Sequence, residues 1–391
     1  MSLTVRPFCG VRFDEKRFSL GRVLCPPYDV FTPKLTRRLR RVRENAVHLE
    51  LPAGASSVRY SASRRRWESW LRAGVLRQDR TPAYYVVEQR FRFRGRGRVR
   101  TGILCALGLD AGTARRVLRH ERTMAKPKVD RTRLLKTLKA NTSPIFGICT
   151  DPGGRLRREL AAARRRRPLA AGRDVQGVSY RLWRLDDPRK TGRIERIFRT
   201  RSVLIADGHH RYEVARDYWR ASRADGADGV LAYLVAETDP GLLVSPTQRV
   251  ARPTAAVRRA LERRCAGRSS AGLAALMRGL ARARSPYAFG LYDGAYRLME
   301  PAAGDRGVRS RFGLDWLARR ILAAVDPQEI AYFHAAGDAV REAKRRHGLA
   351  FMGRPFSVAD IRRAVRRAGL LPQKSTYFFP KIASGLAFRS F

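Results

Sequence analysis

Cysteine is sparse in this 391-residue chain: Cys9, Cys25, Cys105, Cys149 and Cys265 are odd in number, widely scattered, and include no CxxC pair. That spacing argues against a disulfide framework or a cysteine metal site and fits reduced cytosol, so a cytoplasmic protein is expected. Long apolar runs are missing too. The longest, near Gly229 to Ala236, is far too short to span a bilayer, and the opening MSLTVRPFCGVRFDEKRF has no apolar signal core, so no membrane partner and no secretion are expected. No Walker A sequence, protein-kinase loop, GxGxxG, HExxH or GxSxG is present. The standard nucleotide folds are disfavoured accordingly.

Acid is the other shortage. The 82 lysines and arginines against 34 aspartates and glutamates give a formal charge of +48, which on its face implies affinity for polyanions. Of these cations only ten are lysine and seventy-two are arginine, spread through nearly every segment, as in RRLRRVR (37–43), RRRR (164–167) and RRAVRR (362–367). A dispersed excess of this kind is what a codon bias leaves behind, and most such side chains are expected on solvated faces, giving non-specific nucleic-acid binding at most. Against that background the lysines become readable. Lys126, Lys128, Lys136 and Lys139 fall close together, and Lys374 and Lys381 flank a second compact segment. A lysine is a point charge on a flexible stem, suited to one phosphate oxygen in a tight pocket.

The length predicts two or three domains. Alternation predicts a strand at Val47 to Pro52, and two strands at Tyr84 to Phe93 and Arg98 to Leu109 joined by a GRG hairpin. A helix is expected over Val129 to Asn141 with Asp130 as its N-cap, then a strand over Ser143 to Cys149. Residues 151–175 combine GG, four arginines and Pro168 and read as a basic helix or an exposed insertion prone to disorder. The expected division is a region 1–250 and a smaller C-terminal α+β domain, 251–391.

The densest chemistry lies in SVLIADGHHRYEVA, Ser202 to Ala215. Val203 to Ala206 read as a buried strand, Asp207 and Gly208 break it, and Val214, Ala215, Tyr218 and Trp219 recur at helical spacing. The backbone N–H groups near His209 to Tyr212 should then lie at a helix N-terminus, which attracts anions. Gly208 would let backbone approach a ligand, Arg211 offers a planar fork to phosphate oxygens, and His209 and His210 can move protons near neutral pH. The plainer reading makes Asp207 an N-cap and leaves the histidines bonded to backbone.

Further blocks give this turn a context: PPYDV (26–30), HERT (120–123) with Lys126-Pro127-Lys128 and Asp130-Arg131, NTSPIF (141–146), ADGHHRY (206–212), and KSTYFFPK (374–381) followed by Ser384-Gly385-Leu386. Together they resemble the prokaryotic family called domain of unknown function 1015. The DGHHR turn alone is similar to the phosphate-binding turn of the ParB and sulfiredoxin superfamily. The resemblance implies an α+β fold with mixed sheets, a ParB/sulfiredoxin-like core and phosphoryl chemistry, since some relatives are thought to phosphorylate free L-serine with ATP. One position departs from the family: Gln248 stands where a histidine is usual, so no acid-base role is expected there.

Phosphoryl transfer needs cations around the phosphates, carboxylates for Mg²⁺, and a base for the acceptor hydroxyl. The expected phosphate-binding set is Asp207, Gly208, His209, His210, Arg211, Arg122, Lys126, Lys128 and Arg131, with ATP and Mg²⁺ as cofactors and Asp207 as the metal ligand. Glu121 is the first choice of base, since His120 and Arg122 beside it would keep it ionised; Asp29, fixed by two prolines, is the second, and His209 and His210 complete the catalytic candidates. The expected partners are a nucleotide and a small hydroxyl metabolite, free serine foremost. Two other readings stay open: a ParB-like nucleic-acid-binding protein, and a nucleotide-sensing regulator without turnover.

Overall fold

The computed structural model describes residues 2–55, 58–122, 125–305 and 307–391, and only the backbone of Ala125 and Lys126. Helices and strands are both abundant and the larger sheet is mixed, so the fold is of the α+β class expected. Two compact units form, and neither is a single stretch: the first holds Met1–Leu118, Thr123–Leu243 and Pro380–Phe391, the second Arg119–Arg122 and Val244–Phe379. Membership therefore departs from a simple cut at 250, since the chain's end returns to the first unit.

In the first unit a nine-stranded sheet is built from β1 (Val5–Arg6), β2 (Tyr84–Phe93), β3 (Arg96–Gly108), β4 (Val117–Leu118), β5 (Ile145–Cys149), β6 (Ala170–Arg173), β7 (Ser179–Leu185), β8 (Val203–Asp207) and β9 (Gly229–Ala236). Their order is β4-β8-β5-β9-β3-β2-β7-β6, with β1 on β3. The β2-β3 hairpin is the expected one, pairing Tyr85 with Leu104 through to Phe93 with Arg96. Strand β9 runs parallel to β5 and is buried along its whole length, which explains why it reads as an uninterrupted apolar run. Val203, Ile205, Ile145, Ile103, Leu234, Ile194 and Phe198 belong to one buried cluster against which the helices close.

Two local expectations fail for identifiable reasons, and a third is decided between its alternatives. Val47–Glu50 is a helical turn, not a strand; Val47, Leu49 and Glu50 are all buried, and a segment closed in on several sides carries no reliable period. The helix at 125–138 begins five residues ahead of Asp130, which sits inside it and meets Arg59 at 2.6 Å instead of capping the end. Of the two readings of residues 151–175 the basic helix holds and the loose insertion does not: Arg155–Ala163 is a helix burying Leu156, Leu160 and Ala163, and β6 pairs with β7. Its arginines occupy the outer face, which masked an ordinary amphipathic pattern.

The second unit carries a six-stranded antiparallel sheet in the order 265–270, 296–301, 289–292, 349–353, 248–251, 331–333. Helices Leu273–Arg282 and Ala336–Arg346 supply Leu276, Leu280, Ala339 and Val340 to its core.

Candidate functional site

The site of the first unit begins at the end of β8. Antiparallel pairing with β5 runs Val203 to Cys149, Leu204 to Ile148 and Ile205 to Gly147, then slips so that Asp207 faces Phe146. Ala206 is thus an extra residue, a bulge that breaks the alternation just where an aspartate follows an apolar strand. Gly208 comes next at φ +90°, a left-handed conformation, and a Cβ there would come within 3.1 Å of the Arg211 guanidinium. The helix His209–Ser222 starts at once, without a side-chain cap from Gly208. Tyr212 N already donates to Gly208 O, so the first turn's available donors end before Tyr212.

Arg211 turns back over this bend. Its Nη2 donates to Asp207 Oδ2 at 2.6 Å and its Nη1 to Pro144 O at 2.6 Å, joining the DGHHR and NTSP blocks through one buried guanidinium. Among the described residues its Nε has no hydrogen-bond partner. Lys381 closes the other side of Asp207: Nζ donates to Asp207 Oδ1 at 2.8 Å and also to Asp29 Oδ2. Burial opposes the charge on Asp207, but Lys381 and Arg211 outweigh it and hold the carboxyl down at about 2. Burial likewise opposes the Lys381 ammonium, and the two aspartates outweigh it, raising its pKa.

Other residues fix the flanks. Asp29 lies in a short 3₁₀ turn, Tyr28–Val30, entered through Pro27. The Tyr28 amide donates to Glu50 Oε1 at 3.3 Å. Glu50 is fully buried and also accepts from Thr142 Oγ1 at 2.6 Å and Ser143 Oγ at 3.0 Å. Lys381 is anchored through its own backbone, where Gln89 Nε2 donates to Lys381 O at 3.4 Å and buried Arg100 donates to Pro380 O.

The remaining expected residues divide. Lys128 pairs with Glu213, which is buried, and Arg131 is spent on structure, with Nη1 donating to Glu50 O at 2.9 Å and Nε to Asp130 Oδ2 at 2.8 Å. The Lys126 side chain lies outside the described residues. His209 is buried and His210 half-buried; burial lowers the pKa of His210, with Glu213 opposing and Lys128 and Arg211 reinforcing the shift. Glu121 and Arg122 belong to the second unit. There Glu121 Oε1 accepts from Ser375 N at 3.0 Å, Thr376 N at 3.3 Å and Thr376 Oγ1 at 3.4 Å, while buried His120 shares a 2.8 Å hydrogen bond with Thr376. Gln248 has both ends of its amide satisfied by backbone, donating to Pro246 O and accepting from Gly353 N.

Two residues with central places were not among those singled out for the site. Lys381 had a sequence signal, being one of the few lysines in an arginine-dominated chain; Glu50 had none, for a buried glutamate in VHLELP reads as the polar face of a strand. Among the described residues no group of three or more His, Cys, Asp or Glu could hold a metal ion. Two carboxylates, Asp29 and Asp207, are nonetheless a donor set that fits Mg²⁺ delivered on nucleotide phosphates, since that ion keeps most of its waters. A cavity of about 40 Å³ beside Arg131, Thr142, Ser143 and Arg211 has room for water only.

The chain belongs to the family described as protein of unknown function (DUF1015), which it matches over residues 5–322. The KSTYFFPK block falls beyond that span. No curated protein matches the chain. Among solved structures it is similar to a conserved hypothetical protein from Pyrococcus furiosus, at 14% identity over 73% of this chain and 95% of that one, with a TM-score of 0.39. It is also similar to a free serine kinase in complex with AMP, at 11% identity over 71% and 86% of the chains with a TM-score of 0.40. A C-terminally truncated SbnI from Staphylococcus aureus gives 9% identity over 72% and 85%, with a TM-score of 0.41. No helix of the described residues is long and apolar enough to cross a membrane.

Proposed function

We propose that this protein is a small-molecule kinase that transfers the γ-phosphoryl group of ATP to a hydroxyl, with free L-serine as the acceptor. The observation that carries the reading is the chain of alternating charges Asp29, Lys381, Asp207, Arg211, set where a bulged strand passes through a left-handed glycine into a helix. Such a place has what phosphoryl transfer asks of a protein: cations fixed in position, a helix start, and carboxylates able to meet Mg²⁺ or a proton. On this reading Arg211 and the first turn of the helix hold terminal phosphates, with His209 and His210 at its entrance. With MgATP bound, Lys381 would turn from the aspartates to a phosphate oxygen and Asp207 would hold the metal, leaving Asp29 to accept a proton.

In the transfer itself the serine hydroxyl oxygen bonds to the γ-phosphorus, the bond from that phosphorus to the bridging oxygen breaks, ADP leaves, and the hydroxyl proton goes to a carboxylate. Glu121 is the base selected from the sequence. Asp29 is the second candidate, favoured by its membership of the Lys381 cluster and by the three donors already directed at Glu121 Oε1. The test is incubation with ATP, Mg²⁺ and a panel of hydroxyl metabolites, followed by detection of ADP and of the phosphorylated product. Serine-dependent ADP and O-phosphoserine are expected; nucleotide binding without any phosphorylated product would leave a regulator instead.

A further inference from the structure

We infer that a second, separate part of the first unit binds the phosphodiester backbone of a nucleic acid, in a cleft lined by Arg17, Arg43, Arg65 and Arg66. The cleft measures about 520 Å³, and its lining includes Glu44 as the one carboxylate and Trp70 as part of the floor. Its lining draws on α3 (Arg59–Arg72) and on Arg43 and Glu44, which lie in the chain between α1 (Pro33–Arg40) and α2 (Val47–Glu50).

What marks this place is that four guanidinia line one cleft with a single carboxylate in its lining. On α3 itself Arg59 is paired with Asp130 and Arg64 with Glu68. The next two residues, Arg65 and Arg66, have no ion pair among the described residues. Arg66 rests over the Trp70 ring at 5.7 Å, a contact that orients the guanidinium and leaves its charge in place. Arg17 is held by neutral partners, donating to Ala73 O at 2.9 Å and lying over Phe18. Only Arg43 has a carboxylate near, Glu44 at 3.9 Å. Four guanidinia therefore share one acid.

Arg37, Arg38 and Arg41, on α1 and in the turn that leads to Arg43, are exposed as well. That run presents more cations than a single phosphate ester has charges, which favours a polymer of phosphates over a small one. Trp70 is only 6% exposed and cannot stack on a base. Recognition should therefore address the backbone and be indifferent to sequence, with affinity governed by released counterions.

The experiment is fluorescence anisotropy of labelled mixed-sequence oligonucleotides, titrated with the full chain at several salt concentrations. Arg65→Ala/Arg66→Ala is compared with Arg96→Ala/Arg189→Ala, an equal charge change at exposed positions elsewhere on the same unit. The cleft variant should reduce the steepness of log affinity against log salt by about two, and the control should leave it close to that of the unaltered protein. Arg65→Lys/Arg66→Lys should retain most of the affinity, which separates lost charge from lost fold. Equal losses in cleft and control variants would overturn the proposal in favour of delocalised charge. So would absence of binding at low salt, or an effect of the cleft variant on inorganic tripolyphosphate but not on oligonucleotide.

Discussion

Lys381 Nζ lies 2.8 Å from Asp207 Oδ1, so a residue near the chain's end completes the charge balance of a turn 174 positions earlier. Without it, Asp207 would keep its ion pair with Arg211 but lose its second one, and Asp29 would lose the cation it shares.

Replacing Lys381 should therefore show in acid. Asp207 is held at about 2 against an ordinary value of 3.8, so its contribution is complete above the ordinary value and is lost as pH falls toward 2. Lys381→Met removes the largest force holding it down. The variant should lose about 3 kcal/mol at neutral pH, and its acid unfolding should begin at higher pH than in the unaltered protein. Lys381 is shifted upward, so its contribution is present below its ordinary value and fades as pH rises past the folded one; the variant should lack that alkaline decline. Urea midpoints across the pH range check both arms, and superimposable acid arms would refute the pairing.

Arg211→Ala should weaken ATP binding by about ten- to a hundredfold, the worth of one or two charge-assisted hydrogen bonds. Because the same guanidinium holds Pro144 O and Asp207, the change should also destabilise the fold by about 3 kcal/mol. Arg211→Lys keeps a charge but cannot span both partners, so it should fall between the two in calorimetry. Unchanged ATP affinity in folded Arg211→Ala would remove this residue from the site.

Glu121→Gln and Asp29→Asn keep shape and remove proton acceptance. The variant that strikes the base should lose about a hundredfold or more in turnover while nucleotide affinity holds. Collapse in Asp29→Asn with activity intact in Glu121→Gln would assign the base to Asp29 and leave Glu121 as the acceptor for the Ser375 and Thr376 amides. If neither change alters turnover, the proton goes elsewhere.

Glu50 serves as a hub for three segments, and Glu50→Gln should expose that role. An amide can offer one accepting oxygen to Tyr28 N, Thr142 and Ser143, where the carboxylate offers two. A loss of about 2–4 kcal/mol is expected, read as a shift in urea midpoint with unchanged slope. A shift below about 0.5 kcal/mol would mean that the hydrogen bonds contribute little.

The sequence was most informative where local chemistry and local structure coincide. Strand, glycine and helix at 203–222 are legible because an apolar run, a break and a helical period follow one another directly, and the hairpin at 84–108 because both strands are long. What stayed hidden is non-local. Nothing near Lys381 in the chain reveals that it meets Asp29 and Asp207, since the contact depends on Pro380–Phe391 returning to the first unit. Likewise Glu121 stands only a few residues from Lys126 and Lys128 in sequence, yet its partners are Ser375 and Thr376. Surface arginines blurred the rest, since a helix such as 155–163 shows its buried stripe only once they are discounted.

Transfer of phosphorus is the most direct test of the central claim. Phosphorus NMR of the unaltered protein with MgATP and L-serine should show the γ-phosphate signal decline as a phosphomonoester signal grows at the position of authentic O-phosphoserine, with Arg211→Ala and Lys381→Met both slower by at least about tenfold. Stoichiometric ATP binding with no new phosphomonoester, from serine or any other hydroxyl acceptor, would contradict the account.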